Sequence, residues 1–196
     1  HWHAQFEDPK PRLPETCFNE SCVMRFREET KTEVKGTKPE EWARDILRRY
    51  EGPWRSWRCS VMADFARRCR EVIWQHASHL LLGNYQCAWR DDEHAGARRK
   101  ILGLDLEALA RIFDVMSPML YHARSGRSVR WVEQNVRWLS HELGLKGTPT
   151  ERLKIWPIVQ AWSDPQGEKV SAEEFEKVLR AGIAAGSTGV MMFTLG

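Results

Sequence analysis

The run "FDVMSPMLYH", residues 113–122, is an apolar segment that stops in a polar cluster and carries a proline near its end. Val115 and Met116 or Met119 are apolar with no polar alternation between them, the mark of a strand covered on both faces, as in a parallel sheet. Pro118 cannot donate to a sheet ladder, so it fits only where ladder bonding is giving way to a loop. Asp114 then stands where the strand begins, and Ser117, Tyr121 and His122 are presented where it ends.

Three further stretches repeat this pattern. Residues 79–89, "HLLLGNYQCAW", 154–162, "KIWPIVQAW", and 189–195, "GVMMFTL", are short, largely apolar and bounded by turn residues. Helical periodicity fills the intervals. Residues 57–77 place Trp57, Val61, Phe65, Cys69 and Val72 or Ile73 on one stripe; 105–112 form a shorter helix; 128–143 repeat Val129, Val132, Val136 and Leu139. A last helix over 171–185 opens with "SAEE", a capping box in which Ser171 accepts from the Glu174 N–H and the Glu174 carboxylate reaches back. Gly186 and Gly189 close it. Strands alternating with helices, joined by right-handed crossovers, imply a parallel sheet.

Residues 1–55 differ. They carry Pro9, Pro11, Pro14, Pro39 and Pro53, with "EDPKPRLPET" an irregular loop. Helices are expected at 20–30 and at 39–50, where Pro39 suits a first turn and Trp42, Ile46 and Leu47 share a face. A long irregular opening of this kind reads as a βα loop, and in a (β/α)8 barrel such loops build the active site. We therefore expect 1–196 to be a single partial domain: a (β/α)8 TIM barrel from the end of strand four through strand eight, with 1–55 as loop and helices and 56–196 as regular β/α units. An open doubly wound sheet is the alternative, weakened because no glycine-rich phosphate fingerprint follows any strand.

Composition bounds the partners. The 196 residues are 42% apolar, and 30 basic against 27 acidic residues leave a net charge of +3 with no basic block. Nucleic-acid binding is not expected on that balance. Membrane binding is not expected either, because no apolar stretch approaches the ~20 residues of a membrane span. Five cysteines, odd and scattered, favour free thiols. Cys17 and Cys22 are too far apart in sequence for a tight zinc knuckle and are expected to pack around a helix turn. The chain starts at His1 inside a segment that reads as ordered, so an N-terminal portion is expected outside it. Localisation stays open. Half of a barrel has open sheet edges, which that portion or a second copy would have to cover.

The segment "RDDEHAGARRKILGLDLEALARIFDVMSPMLYH", residues 90–122, resembles glycoside-hydrolase-like (β/α)8 families, relatives of the α-amylase-type barrels. The matching residues are Gly103, Asp105, Leu106, Leu109 and Ala110, then Asp114, Ser117, Pro118, Met119 and Tyr121. "CFNESCVMRFREET", residues 17–30, resembles the segment that follows strand four in such proteins, and "IWPIVQAW" extends the likeness along most of the chain. The resemblance implies a carbohydrate substrate bound at the carboxyl rim of the strands, no cofactor, and an aspartate nucleophile on strand four, upstream of His1.

Glycoside hydrolysis needs a pair of carboxyl groups. The partner acid is expected in the loop after strand five, where "WRDDEH" offers Glu93, Asp92 and Asp91, in that order of preference, with Arg90 able to pair with Glu93 or Asp92. Three adjacent acids could raise one another's pKa, as a general acid near neutrality requires. Trp2, Trp89 and Trp162 sit at strand ends, where an indole can stack on a sugar face. Tyr121, His122 and Gln160 would supply hydrogen bonds, with Asp164 as a possible third acid. Two further readings stand beside this one. The chain could be a non-catalytic carbohydrate-binding barrel. Alternatively, His1 and His3 of "HWH" share a strand face and, with His122 and Asp164, could hold a metal as in amidohydrolase barrels. That reading is disfavoured because strand eight, "MMFTLG", lacks a metal-binding aspartate.

Overall fold

The computed structural model of the chain describes residues 15–163, 169–183 and 186–193. Its elements run α1 (Glu20–Thr30), α2 (Pro39–Arg49), α3 (Glu51–Ala77), β1 (Gly83–Cys87), a 3-10 turn (Glu93–Ala95), α4 (Ala97–Lys100), α5 (Leu106–Ala110), β2 (Val115–Leu120), α6 (Val129–Glu142), β3 (Lys154–Ile155), β4 (Ile158–Gln160), α7 (Ala172–Ile183) and β5 (Met191–Phe193). No helix among the described residues is long and apolar enough to cross a membrane.

The fold is α/β with a parallel sheet. Its order is β1-β2-β4-β5, with β3 pairing the start of β2, and every pairing is parallel. The expected strand at 154–162 is thus two short pieces interrupted at Trp156 and Pro157. Pro157 has no N–H to give, although its carbonyl still accepts from Met191 at 2.8 Å. The sheet is open. Helix α3 begins at Glu51 and runs through the expected boundary near residue 55.

Register explains the two faces of the sheet. Ile155 lies opposite Met116 and Val159 opposite Leu120. Strand side chains alternate, so these four share one face. They join Leu106, Leu109, Val132, Val136, Leu139 and Val178 in the main core. The valine and leucine stripe expected over 128–143 is therefore the docking face of α6. Gly182 lets α7 lie close, since a Cβ there would meet Val190 and Val159 side-chain carbons at 3.1 and 3.2 Å. The opposite face carries Tyr85, Cys87, Ser117, Met119, Tyr121, Ile158, Gln160, Met191 and Phe193.

A second, smaller core holds the N-terminal helices. Val23, Phe26, Val34, Ile46, Trp54 and Trp57 are buried together. Trp54 and Trp57 lie 5.0 Å apart, with Phe26 edge-on to both. Much of the tryptophan in the first third of the chain is therefore packing.

Asp114 ties the amino ends of the strands. It accepts from Arg70 at 2.9 Å, from the Leu82 N–H at 3.0 Å and from Arg152 at 3.3 Å. Burial alone would raise its pKa, but the bonds from Arg70 and Leu82 and the charge of Arg152 outweigh that and hold it below the usual value.

Candidate functional site

A cleft lies at the carboxyl ends of β1 and β2, the side on which open parallel sheets place their ligands. It is lined by Cys87, Trp89, His94, Tyr121, Arg127 and Trp131, with Ala88, Met119, Arg124 and Ser125 completing the wall. Its volume is near 120 Å³. Drug-sized ligands occupy roughly 300–1,000 Å³. The cleft therefore has room for one ring or the end of a chain.

Two loops and the first turn of α6 form it, and each loop is held through its backbone groups. After β1, Ala88 is buried and its carbonyl accepts from the Asn135 amide of α6 at 2.5 Å. The Trp89 carbonyl accepts from buried Arg98 at 3.1 Å. The loop then turns through His94, Ala95 and Gly96, all at positive φ, a costly conformation for the two residues with a side chain. It sets His94 beside Trp89, edge to face, with centroids 5.2 Å apart. After β2, the Arg127 N–H donates to the His122 carbonyl at 2.8 Å and the Ser125 N–H to that of Tyr121 at 3.0 Å. Gln160, itself buried, accepts from the Arg124 N–H at 3.0 Å.

The acids expected to act as a group are held apart. Asp91 pairs with Arg98. Glu93 uses both oxygens: Oε2 accepts from the Arg90 N–H at 2.8 Å and Oε1 from Arg127 at 2.7 Å. Arg127 thereby clamps the two loops across the cleft. Asp92 is exposed just ahead of the 3-10 turn. Asp91 and Glu93 are thus each held by a different arginine. The Arg90 side chain lies over Trp138, 5.9 Å from the ring centroid, and pairs with no acid among the described residues.

His122 is buried and does not line the cleft. It is 1% exposed, and its Nε2 bonds the Glu174 carboxylate at 3.0 Å. This corrects the expected capping box. Ser171 does accept from the Glu174 N–H, at 3.1 Å, but the Glu174 carboxylate turns to His122. Gln160 is fully buried and also donates to the Trp162 carbonyl at 3.2 Å. Trp162 is 7% exposed and packs with Tyr121 and Phe193 at 5.0 and 5.3 Å. Of the expected binding residues, Trp89 and Tyr121 line the cleft. His1, Trp2, His3 and Asp164 lie outside the described residues. Sequence reasoning missed His94, Arg124, Ser125, Arg127 and Trp131, whose signal is only their position just beyond strand ends.

Electrostatics sets protonation in the cleft. Burial holds the His94 imidazole below its usual value, Glu93 opposing the shift and Arg127 adding to it. It is a neutral donor and acceptor near pH 7. Burial pushes the Cys87 thiol up to about 11, leaving no thiolate there. Burial and Tyr85 raise the Tyr121 phenol. Among the described residues no cluster of three or more His, Cys, Asp and Glu is placed to hold a metal. No family model matches this chain, and a search of curated proteins finds no significant relative.

Proposed function

We propose that the chain binds a carbohydrate in the cleft after β1 and β2, as part of a glycoside-hydrolase-like (β/α)8 barrel. The observation that carries the reading is the wall itself. Trp89, Tyr121 and Trp131 offer flat apolar surface, while His94, Ser125, Arg124 and Arg127 set polar groups around it. A pyranose presents the matching pattern, an apolar ring face edged by hydroxyls, and binding sites of this kind combine aromatic lining with a few placed polar groups. Saccharide titration followed by tryptophan fluorescence tests it. Trp89→Ala and Trp131→Ala should each weaken binding about tenfold or more, the effect of losing roughly 1.4 kcal/mol of contact. A chain that binds no mono- or oligosaccharide in such a screen overturns the reading.

Hydrolysis is supported by Glu93, the carboxylate that bonds the cleft residue Arg127. As placed, it is an acceptor on both oxygens. To act as a general acid it would have to exchange Arg127 for a substrate oxygen and take up a proton. Glu93→Gln should abolish glycoside cleavage and retain sugar binding. Retained cleavage removes Glu93 as the acid and leaves the binding reading intact.

The barrel reading is supported by strand order. β1, β2, β4 and β5 are neighbours in chain order and parallel, a helix follows β1, β2 and β4, and both edges are unpaired among the described residues. Further β/α units, or a second copy of the chain, would cover those edges.

A further inference from the structure

Away from the cleft, Cys17 and Cys22 bracket the start of α1. Asn19 is the N-cap and accepts from the Cys22 N–H at 2.8 Å. Cys17 sits just ahead of it at φ 74°, a left-handed conformation uncommon for a residue with a side chain. That conformation brings the two sulfurs to 3.6 Å, with the Asn19 amide donating to the Cys17 sulfur at 3.6 Å. Cys17 is exposed and Cys22 half-buried. Both line a shallow apolar cavity with Trp54, Trp57, Arg58 and Met62. The strained residue is the exposed one, and its sulfur faces a second sulfur.

We infer that Cys17 and Cys22 are a redox dithiol, a site of thiol–disulfide exchange that closes to an intramolecular disulfide across the α1 N-cap. The oxidant class is a small-molecule disulfide. Cys17, as thiolate, attacks one sulfur of the oxidant; the S–S bond of the oxidant breaks, a mixed disulfide forms, and the first small thiolate leaves. Cys22 then attacks the Cys17 sulfur and expels the second. The protons lost by Cys17 and Cys22 go to the two departing thiolates, so one disulfide is reduced for each one formed. The order of attack follows from the environment. Burial, and then Cys17 itself, hold the Cys22 thiol above its usual value, which suits the resolving partner. The other three cysteines lack such a neighbour. Cys59 is buried on α3, Cys69 lies farther along the same helix, and Cys87 is half-buried at the end of β1.

The test is incubation of the full chain with oxidised glutathione, acid quenching, alkylation in denaturant and peptide mass spectrometry. The Cys17–Cys22 peptide should appear cross-linked, two hydrogens lighter, and about tenfold or more faster than any modification of Cys59, Cys69 or Cys87. Cys22→Ser should accumulate a glutathione adduct on Cys17, whereas Cys17→Ser should give no cross-link. If the unsubstituted chain keeps both thiols alkylatable, or holds a persistent glutathione adduct on Cys17, the inference fails. That readout needs no variant to fold, and circular dichroism checks the two that are used.

Discussion

His94 shows how much a single position can carry. It sits in the left-handed region beside Trp89, in the loop that Glu93 and Arg127 clamp. Because its pKa is depressed by burial, the unfolded chain binds a proton there more readily than the folded one. Stability should therefore fall as pH drops below about 6.5, the unfolded histidine value, and stop falling once the folded group also protonates. Urea unfolding of the unsubstituted chain and of His94→Gln, compared at pH 7 and pH 5, measures this. The substituted chain should lose less stability over that interval, and equal losses would assign the pH dependence elsewhere. Nothing in "WRDDEHAG" announces this role. The acidic triplet dominates that stretch, and only the fold shows that Asp91 and Glu93 are each taken by a different arginine.

At the scale of elements, legibility tracked apolar pattern. The stripe of α6 was readable because Val132, Val136 and Leu139 recur at helical spacing and are buried. Asn135 lies on the same helix, is fully buried and reaches the Ala88 carbonyl, yet no periodicity marks it. Reading strand ends likewise put Gln160 and Tyr121 at one carboxyl rim. It could not tell that the 121–127 loop would fold over Gln160 and leave Tyr121 half-buried, because that depends on contacts 36 residues apart in the chain. Asn135 is the joint between α6 and the cleft loop. Asn135→Ala leaves the Ala88 carbonyl without its partner in a buried place, at a cost of about 1–3 kcal/mol. A lower urea midpoint at unchanged slope is the expected result, accompanied by weaker saccharide binding through the displaced Trp89. A midpoint that does not move would mean that the joint is dispensable.

At the scale of the whole molecule, the half-buried and the exposed apolar surface fall into a pattern. Helix α3 is 27 residues long and packs only part of its apolar girth. Ala63 and Ala66 turn into the main core, while Met62, Phe65 and Val72, at helical spacing along the neighbouring stripe, are 41%, 66% and 56% exposed. The helix leads into β1, whose outer edge is unpaired among the described residues and whose Tyr85 is 69% exposed. An unpaired strand edge and an exposed apolar stripe are each surfaces that pair readily with another chain. In the barrel proposed above, the preceding β/α unit would cover both; the chain by itself has to cover them with a copy. Sedimentation equilibrium at concentrations on the order of 50 µM, in the range where such surfaces associate, should then give a weight-average mass above the 22.9 kDa of one chain. Replacing Phe65 and Val72 together by lysine places two charges on the stripe without touching Ala63 or Ala66. It should return the mass to that of one chain while the circular dichroism spectrum is retained. A chain that sediments as a monomer before any substitution, and that does not bind a hydrophobic dye, would show the stripe to be an ordinary solvated helix face and would count against a covering unit on that side of the sheet.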